Sequence, residues 1–270
     1  MDIFSKYPLK SLNTFGIDVF AKEFIEVHTD EELLQIVEKQ KIESKQLLFL
    51  GGGSNILFTG DYHGTVIKIS TRGIEILSED EENVILRVAA GEDWDGLVEY
   101  CVNRGWGGLE NLSGIPGQVG SSPIQNIGAY GTEMKDHFEA LEGISLCTGE
   151  IFNYDAERCQ FGYRNSIFKR ALKGRVIITH VLFRLKKEPL FNLSYLALKQ
   201  KLESYPAEEI SLKRIRQSIL EIRSSKLPDP KIIGNAGSFF KNPVVKADQL
   251  SELKESYPGI VYYLTPCPPL

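Results

Sequence analysis

Gly114-Ile-Pro-Gly-Gln-Val-Gly-Ser-Ser-Pro-Ile-Gln-Asn-Ile-Gly-Ala-Tyr-Gly131 is the stretch on which the fold turns. It lies in a segment, residues 106–132, that holds seven glycines and two prolines with few charges. Such a segment is either a flexible linker or backbone moulded around a ligand. A linker should be polar. Ile115, Ile124, Ile127 and Tyr130 are not, so a moulded loop is expected. A second glycine turn, Gly51-Gly-Gly-Ser-Asn55, follows the apolar burst Gln46-Leu-Leu-Phe-Leu50. Turns of this kind expose backbone N–H groups and form concave sites suited to a pyrophosphate. Either can equally be a structural turn. The 51–55 turn lacks the lysine of G-x-x-x-x-G-K-[ST], and Ile56 stands where G-x-G-x-x-G needs its last glycine.

Outward from these turns, apolar residues recur at helical spacing over residues 30–40, with Asp30 as the cap. Gln46–Leu50 fits a buried strand, and Ile56-Leu-Phe58 is strand-like. Further strands are expected at Thr65–Ile69, Val84–Ala89 and Arg175–Leu185, and a helix at Trp94–Val102. Strands and helices mix without a strict βαβ beat, which favours an α+β fold. A Lys/Glu-rich helix follows Tyr195. Another, Ser211–Arg223, is capped by Ser211, places Ile215, Ile219 and Ile222 on one face, and is closed off by Pro228 and Pro230. A domain boundary is expected between residues 186 and 210.

The chain has 270 residues and a net charge of -5, which gives no sign of a nucleic-acid surface. No apolar run approaches the ~20 residues that span a bilayer, and the start lacks a secretory signature. A cytoplasmic protein is expected. Cys101, Cys147, Cys159 and Cys267 show no C-x-x-C spacing and are expected to be buried, reduced thiols. The four histidines are dispersed, and His180 sits in a strand-like run as a sheet residue. Metal chemistry is not expected.

Two further segments carry reactive groups. In Gly234-Asn-Ala-Gly-Ser-Phe-Phe-Lys-Asn-Pro243, glycines bracket Ser238. Its hydroxyl is either a donor aimed at an anionic or carbonyl-bearing ligand or one more polar group on a surface loop. In Phe161-Gly-Tyr-Arg-Asn-Ser-Ile-Phe168, Arg164 stands in an apolar context. It suits bidentate recognition of a carboxylate or phosphate, or a structural ion pair.

Together these segments resemble the UDP-N-acetylenolpyruvoylglucosamine reductases, flavoenzymes that make UDP-N-acetylmuramate for peptidoglycan. Asn13-Thr-Phe-Gly-Ile17, Gly51–Asn55, Gly108-Leu-Glu-Asn111, Ile115-Pro-Gly117, Val119–Gly131, Phe161-Gly-Tyr-Arg164, Lys226-Leu-Pro-Asp-Pro230 and Gly234–Pro243 run in the family's order. The segment with Tyr195 looks like the longer, type I branch. The resemblance implies a two-subdomain FAD-binding fold of the vanillyl-alcohol oxidase type over residues 1–187, split near 65–70. An incomplete α+β substrate domain over 188–270 would follow. It implies FAD held by Gly51, Gly52, Gly53, Ser54, Asn55, Pro116, Gly117, Gly120, Ser121, Ser122, Gln125, Asn126, Gly128 and Ala129. It further implies UDP-N-acetylglucosamine enolpyruvate as substrate, held by Tyr163, Tyr195, Arg223, Lys226, Asn242 and Tyr263. NADPH would be the reductant, and the protein a monomer with no nucleic acid or membrane partner. Hydride would pass from NADPH through the flavin to the terminal vinyl carbon. Arg164 would stabilise charge on the carboxylate, and Ser238 would protonate the adjacent carbon.

The family pattern continues past Tyr263 to a glutamate that partners the arginine, where this sequence reads Leu264-Thr-Pro-Cys-Pro-Pro-Leu270. The expectation from that difference is a shortened product that holds FAD and turns over poorly. The alternative functions are a non-catalytic remnant that binds FAD or UDP-sugar, or another flavin oxidase of this fold. Many such oxidases tether flavin through His or Cys, and the glycine segments contain neither.

Overall fold

Two β-sheets frame the fold in the computed structural model, which describes residues 2–40, 46–238 and 240–264. The first is built from β1 (Ile3–Pro8), β2 (Phe20–Val27), β3 (Leu47–Leu50) and β4 (Tyr62–Ile69), in the order β1-β2-β4-β3. β1 runs antiparallel to β2, whereas β2 and β3 both run parallel to β4. The helix α1 (Asp30–Gln40) makes the crossover that parallel pairing requires. Its Leu33, Ile36 and Val37 lie at i, i+3 and i+4 and bury against Ile25, Val27, Ile67 and Ile69.

The second sheet is antiparallel throughout. It comprises β5 (Ile74–Glu79), β6 (Asn83–Ala89), β9 (Phe138–Ser145), β10 (Ile151–Tyr154) and β11 (Val176–Lys186), in the order β10-β9-β11-β6-β5. β6 alternates, with Val84, Leu86 and Val88 buried. β11 buries Ile177, Ile178, Thr179, Val181, Leu182, Phe183 and Leu185 because it is the central strand and both faces are covered. The helix α2 (Trp94–Asn103) brings Trp94, Leu97, Val98 and Cys101 into the same core as Phe183 and Leu185. Ile144 and Ile177 join the α1 core instead, so the two sheets share a buried interface.

A short hairpin, β7 (Gly128–Ala129) with β8 (Thr132–Glu133), lies in the glycine segment, and a one-turn helix, α3 (Ala156–Cys159), follows β10. After the sheets come α4 (Leu196–Leu202) and α5 (Leu212–Lys226). Their Leu198, Leu202, Ile215, Ile219 and Ile222 form a separate core with Tyr130, Tyr195 and Tyr205 packed on it. Ser211 caps α5 by accepting from Arg214 N at 3.3 Å. Residues 1–236 form one compact unit and residues from Gly237 onward a second. The second unit contains α6 (Ala247–Ser256), whose Lys254 sits 4.6 Å over the Tyr262 ring.

Most expected elements are present; three local expectations are corrected. Among the described residues, Ile56-Leu-Phe58 pairs with no strand: it is an irregular run that buries Phe58 in the first-sheet core. Asp30 is the first helical residue rather than the cap. Thr29 Oγ1 accepts from Glu32 N at 3.2 Å, leaving the Asp30 carboxylate 3.5 Å from His180 Nδ1. Cys147 is exposed, while Cys101 and Cys159 are buried thiols pushed up to about 12 by burial. Cys267 lies outside the described residues.

Asp95 in α2 clamps the α4–α5 layer to the sheets. It accepts from Arg216 at 2.5 and 2.8 Å and from Gly114 N at 2.5 Å. Burial pushes its pKa up, but Arg216 and the Gly114 amide outweigh that and hold it below the ordinary value. A depressed carboxylate contributes stability that is present above its unfolded pKa of about 3.9 and lost as pH falls through the folded value. Asp95→Asn should therefore destabilise the chain by about 1–3 kcal/mol at pH 7, the lower part of that range reflecting the 31% exposure of the Asp95 side chain. Urea melts should show that difference shrinking below pH 4; a pH-independent difference would contradict it.

Candidate cofactor and substrate site

The two glycine turns meet. Ser54 Oγ donates to Pro116 O at 3.1 Å, and Asn55 Nδ2 donates to Gln125 Oε1 at 3.1 Å. A Cβ on Gly52 would stand 2.8 Å from Gly117 Cα, so only glycine allows this approach. Gly53 holds φ +65°, and a Cβ there would stand 1.9 Å from Leu12 O. Lys68 Nζ fixes the turn from beneath by donating to Gly51 O at 2.6 Å. Burial lowers the pKa of that ammonium, Glu26 opposes the effect and Arg72 adds to it.

The turns differ in what they offer a ligand. Among the described residues, no protein acceptor meets the backbone N–H groups of Gly52, Gly53, Ser54, Asn55, Gly117 or Gln118. In contrast, Val119, Gly120, Ser121 and Ser122 donate to Glu92 O, Ala90 O, Gln118 O and Val119 O at 2.9–3.1 Å. The Ser121 and Ser122 hydroxyls also donate into their own turn, at 2.7 Å. The free amides therefore belong to 52–55 and 117–118, while 119–122 is bonded scaffold. Gln118 is the staple: its Nε2 joins Ile69 O of the first sheet to Gly91 O beside the second, at 3.1 and 2.9 Å. Its Oε1 is buried facing Gly51 and has no hydrogen-bond partner among the described residues. Unpaired amides flanking an orphaned acceptor suit a ligand with both an anionic group and hydroxyls, as a dinucleotide has.

After α3, Arg164 occupies the tight turn Gly162–Asn165 with φ +52°. Its guanidinium donates to Gly128 O and to Asn126 O and lies 3.8 Å from Glu133. A Cβ on Gly128 would stand 2.6 Å from Arg164 Nη1, which makes Gly128 the seat of the arginine. Asn126 and Tyr130 also hold positive φ. Positive φ at Arg164 and at Asn126, whose carbonyl it binds, is strain of the kind that collects at functional sites. Asn126 is fully buried; its Nδ2 donates to Gly162 O at 3.1 Å and ties the arginine turn to the loop.

Arg223 of α5 rests on Gly114, where a Cβ would stand 3.0 Å from Nε. Tyr130 and Tyr195 meet edge to face with centroids 5.1 Å apart. Burial pushes the Tyr130 hydroxyl above its ordinary pKa, and Arg223 opposes that rise. Asn111 Nδ2 ties this corner together by donating to Tyr130 O and Asn192 O, both at 2.8 Å. Tyr163 is 42% exposed beside Arg164, and Lys226 is exposed at the end of α5. Ser238, Asn242 and Tyr263 belong to the second unit, where Ser238 Oγ donates to Phe240 O at 3.2 Å.

Tyr130, Gln118 and Glu133 are contributors that the sequence does not single out. An aromatic in a glycine-rich run, Gly128-Ala-Tyr-Gly131, is a usable signal for Tyr130. Gln118 and Glu133 look like any polar residue near a turn. Among the described residues, no group of three or more His, Cys, Asp or Glu could hold a metal, and no helix is long and apolar enough to cross a membrane.

An FAD binding domain family matches residues 21–155. The UDP-N-acetylenolpyruvoylglucosamine reductase of Amoebophilus asiaticus is 46% identical over 264 residues, 98% of this chain and 78% of that protein. The Bacteroides fragilis enzyme of the same name is 45% identical over 258 residues, 96% of this chain and 76% of its own length. The crystal structure of the Thermus caldophilus reductase superposes with a TM-score of 0.65 at 27% identity, covering 94% of this chain and 79% of that one. A solvent-stable cholesterol oxidase shares the fold alone, with a TM-score of 0.50 at 13% identity over 67% of this chain and 37% of its own.

Proposed function

This chain belongs to the UDP-N-acetylenolpyruvoylglucosamine reductase family and has its two-subdomain FAD-binding fold of the vanillyl-alcohol oxidase type, and from that premise we propose that it reduces UDP-N-acetylglucosamine enolpyruvate with NADPH. The observation that carries this reading is the meeting of the 51–55 and 116–118 turns, with Arg164 seated on Gly128 in the same loop. Family membership supports FAD as the cofactor, and the unpaired amides of 52–55 and 117–118 are the donors that would receive its pyrophosphate. FAD, when bound, supplies the hydride that reaches the terminal vinyl carbon.

Everything else falls to side chains. Hydride addition pushes charge onto the substrate carboxylate, and Arg164, fixed before the reaction, stabilises it. Ser238 would then give a proton to the carbon beside the carboxylate. A serine hydroxyl is a weak acid, but the carbanion centre is strongly basic, so the transfer is matched. Tyr163, Tyr195, Arg223, Lys226, Asn242 and Tyr263 would hold the UDP-sugar. Residues 188 onward are assigned to the substrate side; α4 and α5 carry a core of their own, which Asp95 clamps to the sheets within the compact unit 1–236.

The test is optical. Purified chain should be yellow, NADPH should bleach it faster than NADH does, and anaerobic addition of the enolpyruvyl sugar should restore the colour. A yellow protein that NADPH does not bleach would leave only FAD binding standing.

A further inference from the structure

The geometry points to Glu133 as the positioning residue for Arg164. This rests on the reading of Arg164 given above and adds the group that holds it in place. Glu133 ends β8, directly across the hairpin from Gly128, with which it is paired. One carboxylate oxygen, Oε1, lies 3.8 Å from Arg164 Nη1. The other, Oε2, accepts from Asn126 Nδ2 at 2.9 Å and lies 3.1 Å from Lys135 Nζ. Asn126 in turn accepts from Lys135 N at 3.1 Å through Oδ1 and supplies one of the two backbone carbonyls that Arg164 binds. Glu133 therefore pairs electrostatically with the guanidinium at 3.8 Å and also fixes, by a direct hydrogen bond, the residue that presents its carbonyl.

Carbonyls alone define a plane for the guanidinium but supply no charge opposite it. A carboxylate on one side sets which edge of the fork is occupied and which is turned outward to a ligand. Its side chain is 22% exposed, so the pairing is screened less than a surface contact would be. Arg164 sits at a strained positive φ, and a residue there keeps its orientation only while its surroundings hold it.

The test compares half-reactions in FAD-loaded Glu133→Ala, Arg164→Ala and the double variant, by single-turnover absorbance. Glu133→Ala should slow reoxidation by the enolpyruvyl sugar by about 10- to 100-fold, the usual loss when a group that orients a functional residue is removed. Bleaching by NADPH should keep its parent rate, which a general structural defect would not allow. The double variant should be no slower than Arg164→Ala alone, because Glu133 acts through that arginine. If Arg164→Ala is slow and Glu133→Ala is not, the inference fails and the reading of Arg164 survives. Losses that multiply in the double variant would also overturn it. If Arg164→Ala reoxidises at the parent rate, both fall. Should Glu133→Ala fail to load FAD, Glu133→Asp, which keeps the charge but withdraws it by one methylene, carries the same test with the same expected sign.

Discussion

Arg164→Ala is expected to slow reoxidation of the reduced protein by the enolpyruvyl sugar by about 10²–10³-fold, or ~3–4 kcal/mol of barrier. Its two anchoring acceptors are backbone carbonyls, Gly128 O and Asn126 O, so the side chain is fixed by the loop that frames the site rather than by a flexible partner. That fixing is what makes a cation effective, since nothing reorganises as charge appears on the substrate. Removing it leaves developing charge without a donor, whereas bleaching by NADPH involves no such charge and should keep its rate. Arg164→Lys should rescue little, because one ammonium cannot span two carbonyls and a carboxylate. Stability argues in the same direction. Arginine at φ +52° costs of order 1–3 kcal/mol, so Arg164→Gly should melt higher than Arg164→Ala, which loses the same hydrogen bonds but keeps the strain, while both lose the oxidative step. An Arg164→Ala protein with parent reoxidation kinetics would remove the arginine from the chemistry.

How far the sequence discloses this site depends on the kind of residue. Composition alone distinguishes a moulded loop at 106–132 from a linker, because Ile115, Ile124 and Ile127 need a core to enter. Periodicity places α1, α2 and α5 and the central strands, since their apolar faces are regular. It fails at Ile56-Leu-Phe58, where three apolar residues bury one ring without pairing, because burial and strand pairing leave the same short apolar signature. It fails by one residue at Asp30, because Thr29 and Asp30 are both competent caps and His180, distant in sequence, engages the aspartate. Arg164 is visible as a cation among aromatics. The partners that hold it, Gly128, Asn126 and Glu133, lie 31–38 residues away in sequence, and only the fold brings them together. The same applies to Gln118: its amide joins two sheets, and nothing in the neighbouring residues marks it for that task.

Gly53→Ala should abolish FAD retention, and it provides the strictest test of the cradle. The residue holds φ +65°, and the added methyl would stand 1.9 Å from Leu12 O and 2.8 Å from Leu12 C, backbone atoms that cannot rotate away. Thr14 N donates to Gly53 O at 3.1 Å, so relieving the clash also breaks a backbone hydrogen bond. Strain and overpacking together cost about 2–5 kcal/mol. That energy is released by moving the turn, and the turn carries the unpaired amides of 52–55. Gly60→Ala is the matched control: among the described residues no atom beyond its chain neighbours lies within 4 Å of a Cβ there, so stability and colour should be unchanged. Gly52→Ala tests the other half, because its methyl would press on Gly117 Cα at 2.8 Å and part the two turns without straining φ. Its FAD dissociation constant should rise while the melting temperature of the FAD-free chain falls less than for Gly53→Ala. If Gly53→Ala purifies yellow with parent affinity, the 51–55 backbone does not hold the pyrophosphate, and the free amides there need another ligand.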